Sequence, residues 1–449
     1  MKNRYLPLIF LICLHLFFLM NLQFTAWPEM LSYPYLRNQG FLLYSDMVHP
    51  YTPLLTMVLA VVYRIFGYKL MIMQAFAWIL FLTNDILIFL IVRKITKNRL
   101  FAYLSLMFYV STQPFLEGNM LWFDNVLVTP ILMGTYLLIN KRMFWSGVIF
   151  GLAALTKQTA GLFIVISSLW LVISKRNFKN VVYFLTGPVM LGLVLGVRLI
   201  SEGQFMDFIN WTLIYPFTQW GNFPGYVQIG LSKKEFLLLV ILLAPLLLGI
   251  RKLKWNFLLI LFLTSSLIMI YPRFSFFHFQ APLAFLAIIF GYYLSKVKVD
   301  ARITILYGFL LIATIALPTL KRDWGKDTRF YNSDDLTHAK LVQEVVHKNE
   351  PVYFLGPHSS LYALANRVPP KPWADNFGWY YEIGGVQGET ISRWGDDPPE
   401  YVFWQLPESG NWFDLGTYQP RQIADFIEAN YAKGEKIWDN VYIWRKNAN

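Results

Sequence analysis

Along the first 318 residues, apolar runs recur at lengths suited to helices that cross a bilayer, and short basic clusters separate them. Tyr5–Ala26 carries no charge and follows Lys2 and Arg4. It is too long for the apolar region of a signal peptide and lacks a small-residue cleavage site before Trp27, so it reads as a retained first span. Further runs occupy Met71–Val92, Phe101–Pro114, Leu121–Ile139, Phe144–Ser174, Val181–Ile200, Phe236–Ile250, Trp255–Ile270, Phe279–Leu294 and Ile303–Pro318. Pro53–Phe66 is different: it is short, begins after Pro50 and Pro53, and ends in Arg64 and Gly67. That pattern predicts an interfacial helix on the outer surface.

The basic clusters orient these runs. Arg93/Lys94/Lys97/Arg99, Lys141/Arg142, Lys175/Arg176/Lys179, Arg251/Lys252/Lys254 and Lys296/Lys298/Arg302 all read as cytoplasmic, because positive residues stay on that side. Phe144–Ser174 lies between two such clusters and must enter and return on the same side or cross twice, with Lys157 at its turn. Each arm of that hairpin is about 15 residues, or roughly 22 Å of helix, so the turn approaches the outer leaflet. Parity then predicts about eleven crossings, a cytoplasmic N-terminus, and external loops at Trp27–Lys69 and Glu202–Lys234.

After residue 318 the pattern changes. Residues 319–449 are polar and turn-rich, with Pro369, Pro370, Pro372, Pro398 and Pro399. Val352–Leu355, Tyr401–Trp404 and Val441–Trp444 read as short strands, and Asp334–Lys348 and Pro420–Lys433 carry helical periodicity. The expected division is a membrane domain over 1–318 and a small extracytoplasmic α/β domain over 319–449.

Composition sharpens this picture. Only 15% of the 449 residues are charged and 56% are hydrophobic, where a soluble chain carries roughly a quarter charged residues. A water-soluble single-core enzyme is excluded; the fold class is a polytopic α-helical membrane protein, expected in the plasma membrane. The net charge of +12 divides into a basic first part and an acidic remainder. Because the basic residues fall between apolar runs, they orient spans, and no nucleic-acid partner is expected. Cys13 is the single cysteine, so no intramolecular disulfide can form.

Acidic residues are scarce before Thr319, and an ionisable group at membrane depth needs a reason. Glu29, Glu202, Asp207, Glu235 and Asp300 fall in loops or at span ends. Asp85, beside Asn84, is mid-span, where a partnered structural carboxylate and a functional one both remain open. Asp46 lies in a proline-bound stretch, Gly40-Phe-Leu-Leu-Tyr-Ser-Asp46-Met-Val-His49-Pro50, and reads as either a turn residue or a catalytic carboxylate. Glu117 and Asp124 bracket the tip of the next external turn. Two acidic loops on one face would position an acceptor hydroxyl or hold a divalent cation through hard oxygen ligands, and the sequence makes no cofactor certain. Lys157, Arg273 and His278 supply cations near the same face; each also has an ordinary role as anchor or packing residue. Together they would form a basic pocket for a lipid-linked phosphate.

These residues, in this order, resemble the GT-C superfamily. An Asp precedes His49-Pro-x-x-Pro-Leu, a second Asp opens the fourth span, Gly151-Leu-Ala-x-Leu-Thr-Lys157 follows, and Arg273 and His278 precede Phe279-x-x-Pro-Leu-Ala. Within the superfamily the likeness is to bacterial relatives of dolichyl-phosphate-mannose protein mannosyltransferases and of lipid A aminoarabinose transferases. The resemblance implies inverting transfer of a sugar from a polyprenyl-phosphate donor to a glycan, lipid or protein acceptor on the extracytoplasmic face. It implies that Asp46 is the catalytic first-loop Asp, Asp124 the second-loop Asp, and Lys157 the Thr-Lys residue. His49 and Glu117 stand beside these as additional site candidates. The chain departs in having a single Asp46 instead of an Asp-Glu pair, and Gln158 where Gly is common. The competing class is a transporter or lipid flippase of envelope glycan assembly, which would place its ionisable groups near the bilayer midplane.

Overall fold

The computed structural model describes residues 5–175, 178–249, 257–297, 300–348, 350–396, 398–406 and 419–447. The expected basic residues Lys2, Arg4, Arg176, Arg251, Lys252, Lys254 and Lys298 lie outside these described residues, as do Ile250 and Trp255 at the expected span ends. The chain forms two compact units, neither continuous in sequence.

The first unit gathers Met1–Thr25, Met73–Leu195 and Gln228–Asp327. Among the described residues three helices are long and apolar enough to cross a membrane: Leu70–Thr96, Phe178–Ser201 and Arg302–Asp323. Shorter apolar helices at Leu6–Asn21, Phe123–Ile139, Met143–Thr156, Phe257–Ile268 and Gln280–Leu294 match further expected runs. The expected span Ile303–Pro318 continues to Asp323 through a π-turn at Ile312–Ala316. That turn lets the helix accept Pro318, which has no N–H to donate. Ile305, Leu306 and Phe309 on this helix are 59–70% exposed, an apolar face that suits lipid.

The interior of this unit is aromatic. Phe150, Phe163, Phe262 and Phe285 are fully buried, with ring centroids 5.2–5.9 Å apart. They join the Met143–Thr156, Gly161–Lys175, Phe257–Ile268 and Gln280–Leu294 helices into one rigid block. Gly147 lets a neighbouring helix come close, since a Cβ there would collide with the Phe184 carbonyl. As expected, Met143–Thr156 and Gly161–Lys175 form a hairpin, and Lys157 sits at its break in extended conformation.

The second unit gathers Ala26–Ile72, Gly196–Val227 and Thr328–Asn449. Its sheet has four strands, β1 (Val352–Leu355), β2 (Tyr401–Gln405), β3 (Tyr431–Trp438) and β4 (Val441–Lys446), in the order β1-β2-β4-β3. The first pair is parallel and the others antiparallel, with Phe403 opposite both Phe354 and Ile443. Three of these strands were legible as apolar runs. β3 was not: the helix expected over Pro420–Lys433 stops at Asn430 and the chain turns into an edge strand. Ile423 and Ile427 bury the helix, whereas Ala432–Lys436 are exposed and owe their conformation to backbone pairing with β4. The other expected helix forms at Ser333–Val345, where Asn332 accepts from the N–H groups of Asp334 and Asp335 at 2.9 Å. The expected Pro53–Phe66 segment is helical over Leu54–Phe66, and Gly67 ends it at φ 83°. Glu29–Asn38 is a further helix inside the expected Trp27–Lys69 loop.

Candidate functional site

Asp124 lies in the first turn of the Phe123–Ile139 helix, where unpaired N–H groups favour a negative charge. Its carboxylate accepts from the Lys157 ammonium at 2.8 Å on both oxygens and from the His278 Nδ1–H at 2.9 Å. Asp124 and Lys157 are 4% and 9% exposed, so this is a buried pair. Three residues singled out from three separate runs therefore meet. An ionised carboxylate only accepts, which fixes the proton of His278 on Nδ1 and leaves Nε2 to set the charge of the ring.

Two loops are tied together beside this cluster. Gln280 Nε2 donates to the Leu116 carbonyl at 2.7 Å and to the Phe276 carbonyl at 2.9 Å, and the Glu117 carboxylate accepts from the Phe277 N–H at 3.2 Å. Glu117 adopts φ 52°, and Gly118 follows because any Cβ there would collide with the Gln113 backbone. Glu117 thus holds the segment that carries His278. Arg273 stands in the same unit and donates to the Gln228 side chain at 3.1 Å.

Asp46 belongs to the second unit. Its Oδ2 accepts from the Leu42 N–H at 2.9 Å and from the Lys371 ammonium at 2.7 Å. Its Oδ1 has no partner among the described residues. The Asp46 carbonyl accepts from the Trp373 N–H at 3.0 Å, and Val48 N–H donates to the Trp373 carbonyl at 2.8 Å. The turn reading and the reactive reading thus fall on different oxygens of one carboxylate. Lys371 was missed from the sequence, where nothing marks a lysine between prolines as the partner of a residue 325 positions away.

His49 is fully buried. Its Nδ1–H donates to the Tyr51 carbonyl and its Nε2 accepts from the Thr56 hydroxyl, both at 2.8 Å, which holds the neutral ring in one tautomer. It braces the turn after Asp46. Burial lowers its pKa to about 4, against a smaller opposing effect of the Tyr51 hydrogen bond. The folded pKa lies below the ordinary 6.5, so the stability it contributes is complete above pH 6.5 and is lost as pH falls towards 4. Asp375, raised by burial to about 6, acts with the opposite sign. In His49→Gln, which keeps one donor and one acceptor, the Asp375 contribution is unchanged and cancels in the difference between the proteins. That difference in stability should fall between pH 7 and pH 4 by up to about 3 kcal/mol. Melting curves across this range check it; a pH-independent difference would sink the assignment.

Among the described residues no group of three or more His, Cys, Asp or Glu could hold a metal ion. The second unit holds a carboxylate with an open oxygen, and the first holds a buried lysine and a part-buried histidine on an acidic anchor. Asp124, Lys157 and His278 meet at the ends and breaks of apolar helices, an arrangement that suits a membrane glycosyltransferase. The fold is similar to that of ArnT from Cupriavidus metallidurans bound to undecaprenyl phosphate, with TM-score 0.61 and 11% identity over 98% of each chain. It is also similar to the apo state of ArnT from Cupriavidus metallidurans, with TM-score 0.58 and 11% identity over 97% of each chain. No curated protein matches in sequence. The signature of glycosyltransferase family 87 matches residues 49–287, over half of the chain, and the protein belongs to that family. Glu117, Asp124, Lys157, Arg273 and His278 fall inside the matched region, and Asp46 lies just before it.

Proposed function

We propose that the protein moves a sugar from a polyprenyl-phosphate donor to an acceptor hydroxyl on the extracytoplasmic face, with inversion at the anomeric carbon. The observation that carries this reading is the Asp124–Lys157–His278 cluster at the break of a membrane hairpin. ArnT, which shares the fold, binds undecaprenyl phosphate, and a lipid-linked phosphate is the ligand this cluster suits. Lys157 and His278 neutralise the phosphate as its bond to C1 breaks, and Asp124 holds both cations in place beforehand. Asp46, in the second unit, takes the acceptor's proton through Oδ1 as the hydroxyl attacks C1. The leaving group needs cations more than a proton, so one carboxylate base suffices where a glycosidase uses two. Residues 319–449 are assigned to the extracytoplasmic side, and the acceptor is a glycan, a lipid or a protein.

Purified protein given radiolabelled polyprenyl-phosphate sugars and a membrane extract should consume one donor and label an acceptor. Movement of the donor across vesicles without consumption would instead establish the transporter reading. The proposed orientation has its own check. A reporter active only in the cytoplasm, fused after Asn449, should stay silent; if it is active, the crossing parity is wrong and the common outer face is lost.

A further inference from the structure

His15 and Asp85 lie midway along two apolar helices, are fully buried, and take no part in the reaction proposed above. His15 Nδ1 is 3.0 and 2.9 Å from the two Asp85 oxygens, and its Nε2 is 2.8 Å from Gln113 Oε1. The rest of the Gln113 amide decides the protons. Gln113 Nε2 donates to the Gly118 carbonyl at 3.0 Å, and a carbonyl only accepts, so Oε1 is the atom facing His15. His15 Nε2 therefore carries a proton. A second proton lies between Nδ1 and the carboxylate, since a bare nitrogen facing an ionised carboxylate would place two acceptors in contact. The pair is thus net neutral, the state an apolar interior tolerates.

This chain of hydrogen bonds ends on the turn that carries Glu117. Asn125, next to Asp124, donates to the same Gly118 carbonyl at 3.2 Å. Leu116 and Glu117 hold the Phe276–Gln280 segment, and His278 reaches Asp124 from there. We infer that His15, Asp85 and Gln113 form a positioning network that fixes the Glu117–Gly118 turn from inside the helix bundle and thereby aims His278. As a role in donor binding, this rests on reading Asp124, Lys157 and His278 as the donor-phosphate site. None of the three network residues touches the substrate.

Two variants test it. His15→Leu/Asp85→Leu removes the pair as a unit and strands no charge, leaving only Gln113 Oε1 without its partner. Gln113→Met keeps the pair and cuts its link to Gly118. The readouts are the melting temperature, amide hydrogen exchange of peptides covering residues 116–120 and 276–280, and binding of undecaprenyl phosphate to the full-length protein. Both variants should exchange about tenfold faster in those two segments and bind the probe about tenfold more weakly, the scale of one lost hydrogen bond. Their melting temperatures should fall by no more than one unpaired buried polar group costs, and the triple variant should lose nothing further, because all three residues act through one link. Wild-type exchange in both variants overturns the network, as does faster exchange spread over the whole chain with a lowered melting temperature. If the double variant does not fold, Gln113→Met decides by the same criteria. Faster local exchange combined with undiminished probe binding by Lys157→Ala leaves the network standing and removes the donor-site reading.

Discussion

Asp46→Asn is expected to lower sugar transfer by roughly 100-fold or more, the scale of losing a positioned acid–base group, with little change in melting temperature. The structure makes the two halves of that expectation separable. An amide oxygen still accepts from the Leu42 N–H, so the turn survives. What disappears is the basic Oδ1 and the ion pair with Lys371, whose side chain is 44% exposed. An ion pair that open to solvent adds little to folding. Lys371→Met provides the control, because it removes the same ion pair and leaves the carboxylate. If Asp46 only anchors Lys371, the two variants should behave alike. If Asp46 is the base, Asp46→Asn should be the slower by far. Transfer at a near wild-type rate in Asp46→Asn would end the catalytic assignment and move attention to Glu117.

How much of this was legible follows from the range of the forces involved. The helices of the first unit were readable because a bilayer imposes length and apolarity locally, residue by residue. The Lys157 hairpin was readable because basic clusters on both sides require the segment between them to turn back. Asp124, Lys157 and His278 could be singled out because ionisable groups are rare and costly in such a chain, but their meeting on one carboxylate is tertiary information. His15 carried the same signal, a polar residue inside an apolar run, and went unused because its partner lies 70 residues away. Beyond the membrane runs the constraint relaxes. The Glu29–Asn38 helix is buried on nearly every side and contains Pro34, so it shows neither amphipathic contrast nor a clean helical composition. β3 is fixed by its partner strand, and no property of its own residues announces it. That the second unit draws Ala26–Ile72 and Gly196–Val227 together with the C-terminal part is a fact of tertiary contact that no local pattern encodes.

Lys157→Met is expected to destabilise the protein by about 3–5 kcal/mol, the usual result of removing one member of a buried ion pair. The reason lies in what remains. Asp124 is 4% exposed, and without the ammonium it keeps a single contact with His278, too little to offset the loss of hydration of a carboxylate. The Asp124→Asn/Lys157→Met double variant leaves no charge stranded and should recover most of that stability. It should not recover function, because the cation that meets the donor phosphate is still missing. Thermal unfolding of the two variants, alongside binding of undecaprenyl phosphate, therefore separates two roles that a single substitution would blur. Restored folding with binding still lost assigns Lys157 to the phosphate. Restored folding with wild-type binding would show that the pair serves the hairpin alone, and the donor phosphate would then have to be sought elsewhere, beginning with Arg273.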